Sequence, residues 1–244
     1  MKIAFITDIH IEKDGILILN LDTRLHFKRI LDQVKISNYD LIILGGDLCN
    51  TEGEADIYQW ICDQLQEIDI PVLAISGNHD DSVMLAKYFK VEPHLKDNYL
   101  YFTHTIAPFE AIFLDSSTGK LGAEQWSFLE NQCAGAAQEI LIFMHHPPLV
   151  CDVIAMEPKY QFKEIEKFKG LIRKYPDKNF NVFTGHFHTE RTIAYKNASI
   201  HITPSTYVQI DPSQPSFTPV FGKIGYREII IKPTGEIISY VKYL

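Results

Sequence analysis

Five short segments of this 244-residue chain end an apolar, strand-like run in Asp, Asn or His. TDIH places Asp8 and His10 after the first run, and GGD places Asp47 after LIIL. SGNHD places Asn78, His79 and Asp80 after VLAI, MHHPP places His145 and His146 after ILIF, and GHFH places His186 and His188 after NVFT. In open α/β sheets, ligands bind just outside the carboxyl ends of the strands, and Asp, Asn and His are side chains that bind metals or move protons there. Strand residues two apart project to the same side. Asp8 with His10, and His186 with His188, are therefore expected to aim both side chains at one point. Gly45, Gly46, Gly77 and Gly185 flank these groups and permit tight turns and close backbone approach. DxH, GD and HxH each recur by chance, and a lone loop histidine is usually a surface or packing residue; five such fragments in order, each at a strand end, form a joint signal.

The elements that must position these groups are legible in the apolar pattern. Strands are expected at Lys2–Thr7, Asp40–Leu44, Val72–Ser76, Tyr99–Thr103, Ala111–Leu114, Ile140–Met144 and Asn181–Thr184. Helical stripes run through Leu25, Ile30, Leu31 and Val34 and through Ile57, Trp60, Ile61, Leu65 and Ile68, with further helices at 82–89, 123–133 and 163–174. After residue 190 the helices stop. Runs 191–195, 198–203, 225–232 and 236–243 read as strands, with a closing hairpin at Lys232–Ile237, and Pro212, Pro215 and Pro219 break 211–224 into a loop. Alternating β and α elements followed by strands imply an α/β sandwich. Residues 1–244 are expected to form one domain whose all-β part, from about 190 to 244, completes the second sheet.

Composition narrows the class. With 46% apolar and 22% charged residues, the chain is neither disordered, collagenous nor a disulfide scaffold. Its net charge of −8 argues against a nucleic-acid groove, where cations must neutralise phosphates. No apolar run approaches the ~20 residues of a membrane span. The N-terminal apolar run is too short for a secretory leader and reads as the first strand. Cys49, Cys62, Cys133 and Cys151 show no CxxC spacing and read as reduced thiols, so the expected compartment is the cytoplasm. Cys49, two residues past Asp47, reads as a buried filler rather than a soft ligand. Arg24 is expected to be a solvated helix residue, and His26, His94, His104 and His201 to be structural or surface groups.

The ordered set DxH, GD, GNHD, HHPP and GHxH resembles the calcineurin-like metallophosphoesterase superfamily. TPSTYVQI (203–210) and the chain length are most similar to its class III cyclic nucleotide phosphodiesterases. The resemblance implies an α/β fold, a four-layer αββα sandwich of two mixed β-sheets flanked by helices. It implies a first metal held by Asp8, His10, Asp47 and His188, and a second held by Asp47 (the bridging carboxylate), Asn78, His145 and His186. His145 aligns with the ligand position better than His146. His79 matches the catalytic, leaving-group histidine, and Asn78, His79 and His188 are implied to contact substrate. Asp80 would orient His79 or cap the following helix. Oxygen and imidazole ligands without thiolate imply two divalent or trivalent ions drawn from Mn, Fe, Co or Zn.

Two metals ~3.5–4 Å apart generate hydroxide near neutral pH and hold a phosphate for in-line displacement. Two dications against two carboxylates and one hydroxide leave a single positive charge, suited to a monoanionic diester. The implied activity is hydrolysis of 3′,5′-cyclic AMP or GMP to the 5′-nucleotide. The alternative is a glycerophosphodiester or another small phosphodiester, because substrate choice resides in loops such as 151–162 and 211–224. A protein phosphatase fits less well, since GDLCNTEG puts Asn50 and Thr51 where that branch has Asp and Arg. A non-catalytic module of the same fold would have lost ligands or His79, and none is missing. By analogy, a homodimer would form through the C-terminal strands or the Pro-rich loop.

Overall fold

The computed structural model describes residues 1–244. In chain order the first half contains β1 (Lys2–Ile6), α1 (Thr23–Lys35), β2 (Leu41–Leu44), α2 (Ala55–Gln66), β3 (Val72–Ala74) and α3 (Ser82–Tyr88). Then come β4 (Leu95–Lys96), β5 (Tyr99–Leu100), β6 (Phe102–Ile106), β7 (Phe109–Leu114), α4 (Ala123–Gly135) and β8 (Glu139–Met144). The chain continues with α5 (Glu157–Tyr160), α6 (Ile165–Lys174), β9 (Asn179–Thr184), β10 (Arg191–Tyr195) and β11 (Ala198–Ile202). It closes with β12 (Gln209–Ile210), β13 (Pro219–Val220), β14 (Gly225–Ile231) and β15 (Ile237–Tyr243).

Two mixed sheets result. The first has the order β15-β14-β1-β2-β3, with β1, β2 and β3 parallel and β14 antiparallel to β1. The second has the order β10-β11-β9-β8-β7-β6, parallel through its four central strands, with antiparallel edges. The all-β tail does not complete one sheet, as its sequence pattern suggested. β10 and β11 extend the second sheet, while β14 and β15 cross back and pair with β1 in the first. The run read as one strand at Tyr99–Thr103 is also divided: β5 pairs with β4 in a small hairpin, and β6 begins at Phe102.

Alternation along β8 shows how the layers are bound. Leu141 and Phe143 pack toward the first sheet, whereas Ile140, Ile142 and Met144 meet Trp126 and Leu129 of α4 and Phe168 and Ile172 of α6. Both faces of the strand are therefore buried, which explains an unbroken apolar run in place of apolar–polar alternation. α1, α2 and α3 cover the other side of the first sheet. Asp22 caps α1 by accepting from the Leu25 N–H at 3.0 Å. The buried stripe of α1 is Phe27, Ile30, Leu31 and Val34, while Leu25, expected in it, is 54% exposed. Spacing of three, four and seven residues counted from Phe27 accounts for the difference.

Between the sheets, Phe143 is fully buried, with ring centroids 4.9 Å from Phe113, 5.5 Å from Phe183 and 5.6 Å from Phe5. Phe143→Ala is expected to destabilise the fold by about 3–5 kcal/mol, because close-packed neighbours relax only partly around the missing ring. Urea denaturation monitored by circular dichroism measures it, and a loss below about 1 kcal/mol would contradict this packing.

Candidate metal centre

The carboxyl ends of β1, β2, β3, β8 and β9 open at the same edge of the sandwich, and the loops leaving them carry the Asp, Asn and His residues. Strand alternation is not what aims them. β1 ends at Ile6, and Asp8 (φ 53°), His10 (φ 44°), Asp47 (φ 52°), His186 (φ 73°) and His188 (φ 47°) all adopt left-handed backbone. Such conformations cost roughly 1–3 kcal/mol each for residues with a Cβ and persist only where the surroundings enforce them. The enforcement is visible here. Residues 8–11 run beside 46–48 through Asp8 N–H to Gly46 O at 3.0 Å, His10 N–H to Asp47 O at 3.1 Å and Ile11 N–H to Leu48 O at 2.9 Å. Gly185 is a glycine for lack of room: a Cβ there would strike Thr7 and the Asp8 carboxylate.

The side chains converge. Asp8, His10 and His188 form one group able to hold a cation, Asp47, His145 and His186 a second, and His10, Asp47 and His79 a third that overlaps both. His188 Nε2 lies 3.2 Å from Asp8 Oδ1 and 3.0 Å from His10 Nε2. His145 Nε2 lies 3.1 Å from Asp47 Oδ2, and His10 Nε2 lies 3.8 Å from the same oxygen. Asn78 is exposed on the rim of the cavity above them, on the loop after β3.

Each of three histidines is fixed from behind by a backbone carbonyl. His145 Nδ1 donates to Gly45 O at 2.8 Å, His188 Nδ1 to Val208 O at 2.9 Å and His186 Nε2 to Tyr160 O at 2.8 Å. The opposite nitrogens of His145 and His186 are buried without a hydrogen-bond partner. Metal-ligating histidines are held in this way, one nitrogen donating outward and the other presented as a lone pair. The donor set therefore fits metal ions.

Burial, aided by the neighbouring His188, pushes His10 down to about 3; burial likewise takes His186 to about 4, so both rings are neutral ligands near pH 7. Burial would lower His145 too, but the Asp47 and Asp8 carboxylates raise it to about 9, so ligation at its Nε2 releases a proton. Burial opposes ionisation of Asp8 and Asp47, yet facing histidines, His188 and His145 respectively, hold both below the ordinary carboxylate range.

A cavity of about 650 Å³ opens above these groups. His10, Asp47, His79, His186 and His188 line its floor, and Met156, Tyr160, Tyr207, Ile210 and Phe217 form an apolar wall. His79 is positioned by two contacts. Its backbone N–H donates to Asp47 Oδ1 at 2.9 Å, and its ring Nδ1 meets Thr51 O at 3.1 Å.

Within the MHHPP doublet, it is His145 that faces Asp47, while His146 Nδ1 is engaged by Ser116 Oγ at 3.1 Å. Asp80 takes neither expected role. It accepts from the N–H groups of Leu48, Cys49 and Gly77 and from the Tyr58 hydroxyl, tying the loop after β2 to the loop after β3. Asp81 caps α3 instead, accepting from Met84 N–H at 2.7 Å. Burial, reinforced by the Asp47 charge, raises Asp80 to about 6.

Other flagged residues lie outside the cavity. Cys49 is buried in the core, Arg24 lies over the Trp60 ring, and His201 stacks on Phe183 at 5.0 Å. All four cysteines are unpaired, and no helix is long and apolar enough to cross a membrane. Sequence reasoning missed the carbonyls of Gly45, Tyr160 and Val208, which carry no side-chain signal. It also missed Tyr207, although TPSTYVQI had been singled out. That ring is 7% exposed and lies 5.5 Å from the His10 ring.

Residues 1–190 match the family model for calcineurin-like phosphoesterases. A probable cyclic nucleotide phosphodiesterase of Fibrobacter succinogenes is 32% identical over 213 residues, spanning 87% of this chain and 82% of that protein. The 3′,5′-cyclic adenosine monophosphate phosphodiesterase CpdA of Vibrio vulnificus is 26% identical over 258 residues, spanning 100% of this chain and 90% of its own. Among solved structures, a dimetal phosphatase from Danio rerio shares the fold, with a TM-score of 0.66 at 14% identity and 98% coverage of both chains. With two aspartate–histidine groups converging on one cavity and a family match over most of its length, the chain belongs to the calcineurin-like phosphoesterase family.

Proposed function

We propose that the protein is a two-metal phosphodiesterase that hydrolyses 3′,5′-cyclic nucleotides to 5′-nucleotides. The observation that carries this reading is the pair of buried ligand groups, Asp8–His10–His188 and Asp47–His145–His186, at the floor of one cavity. Asp8, His10, Asp47 and His188 would hold the first ion and Asp47, Asn78, His145 and His186 the second, with Asp47 between them. The absence of thiolate fits Mn, Fe, Co or Zn. Bound there, the ions would supply positive charge for the phosphoryl oxygens and an activated water for the attack.

The chain's own groups do the rest. Asp8 and Asp47 bring the negative charge that retains the ions, and the carbonyl-anchored histidines hold their lone pairs in place. His79, with Nδ1 directed to Thr51 O, has Nε2 left for the departing ester oxygen. When the P–O3′ bond breaks, the proton passes from His79 Nε2 to O3′; donation from both nitrogens requires the imidazolium form. Asn78 and His188, which line the same cavity, would contact the phosphoryl group. The apolar wall of Met156, Tyr207, Ile210 and Phe217 offers the nucleoside a surface on which to pack. Both termini contribute strands to the first sheet, which supports residues 1–244 acting as one unit, and four unpaired thiols fit the reducing cytoplasm.

The purified protein incubated with manganese and cyclic AMP is expected to release AMP, resolved by chromatography. No turnover with Mn, Fe, Co or Zn would refute the assignment. A specificity constant for glycerophosphoethanolamine above that for cyclic AMP would transfer it to glycerophosphodiesters.

A further inference from the structure

A second, smaller recess of about 180 Å³ opens off the metal cavity and shares Asn78, His186, Lys159 and Tyr160 with it. No carboxylate lines it, in a chain with a net charge of −8. The lysines of α6 are paired with glutamates: Lys167 with Glu164, Lys169 with Glu166 and Lys174 with Glu130. Lys159 and Lys163, which line the recess, have no such partner.

Lys163 is exposed but tethered. Its N–H donates to Gly119 O at 2.8 Å and its ammonium to Thr118 O at 2.8 Å, so two of its three ammonium protons remain for a ligand. The third contributor is His146, which is 3% exposed. Ser116 Oγ accepts from the His146 backbone N–H at 3.0 Å and lies 3.1 Å from its Nδ1. The arrangement that uses the hydroxyl proton has Ser116 donating to Nδ1, which leaves the imidazole proton on Nε2. That nitrogen has no partner in the chain. Two ammonium groups, one of them tethered to Thr118 O, and an N–H donor thus line one recess beside two proposed metal ligands.

We propose that this recess is a second anion subsite, which takes a phosphate carried by the substrate or product in addition to the ester phosphate over the metal centre. The proposal rests on reading the main cavity as a phosphoester site. It extends the substrate class from cyclic mononucleotides to phosphoesters bearing a second phosphate. Lysine and imidazole N–H donors form hydrogen bonds with phosphate, charge-assisted by its anionic oxygens, and binding in such a recess weakens with salt.

The test is calorimetric titration of the manganese-loaded protein with AMP and with adenosine 3′,5′-bisphosphate. The bisphosphate is expected to bind about tenfold more tightly, the equivalent of one additional charge-assisted contact. Lys163→Ala should bring the ratio of the two affinities close to one, and Lys159→Ala should lower it. Equal affinities in the wild type, no binding of either nucleotide, or a ratio left unchanged when Lys159→Ala and Lys163→Ala are combined would each overturn the subsite. Melting temperatures of the variants verify that the fold is retained. Cyclic AMP turnover is scored separately: a bisphosphate preference without turnover would overturn the proposed substrate and keep the subsite, and turnover without the preference would do the reverse.

Discussion

Asp47→Asn is expected to empty both metal positions together and to reduce diester hydrolysis by more than the ~10²-fold seen when only an outer hydrogen-bond partner of a metal ligand is lost. Asp47 belongs to two of the three groups able to hold a cation, and its Oδ2 approaches both His145 and His10. Its Oδ1 also accepts from the His79 backbone N–H, so one carboxylate ties both ligand groups to the loop carrying the proposed leaving-group histidine. Asparagine keeps the shape and removes the charge. It leaves His145, which the carboxylates hold up to about 9, without its nearest counter-ion. Plasma mass spectrometry of purified wild type and variant gives metal content per chain, measured alongside the rate on bis(4-nitrophenyl) phosphate. Full occupancy with an unchanged rate would overturn the proposed bridging role of Asp47.

His79→Ala should separate metal binding from turnover. Loss of a general acid typically lowers the rate by about 10²–10⁴-fold, and metal content should stay at the wild-type level. The geometry makes this a demanding test, because His79 also completes a potential cation group with His10 and Asp47. Its Nδ1 is occupied by Thr51 O, and its ring stands edge-on to His10 with centroids 5.0 Å apart. If metal and rate fell in proportion, His79 would be a ligand and the leaving oxygen would need another proton donor.

The groups that carry the proposed chemistry were legible because each is a side chain at the end of a recognisable apolar run, and strand ends on one edge of a parallel sheet converge by topology. What was not legible belongs to the backbone. Strand alternation suggested how Asp8 and His10 could point together, but left-handed turns achieve it, and a side-chain pattern does not encode φ directly. The carbonyls of Gly45, Tyr160 and Val208 are equally silent, since any residue type supplies one. Asp80 was misread because its partners, Leu48 and Cys49, lie more than thirty positions away and are backbone donors. The division of the C-terminal strands between two sheets is a long-range pairing choice. The run in β14 would suit either sheet by periodicity, and only its register with β1, from Lys2 opposite Ile230 to Phe5 opposite Arg227, settles it.

That last pairing bears on how the molecule is made. β1 sits between β2 and β14, so one of its edges stays open until the ribosome has delivered residues 225–231. At typical elongation rates, roughly eight to thirty seconds separate the emergence of β3 from that of β14. During that interval a nascent apolar strand, Lys2–Ile6, presents free amides and carbonyls that can template pairing with another growing chain. Translation speed across the intervening stretch, and the supply of chaperones that shield an open edge, are therefore levers on recombinant yield that act independently of how stable the finished protein is.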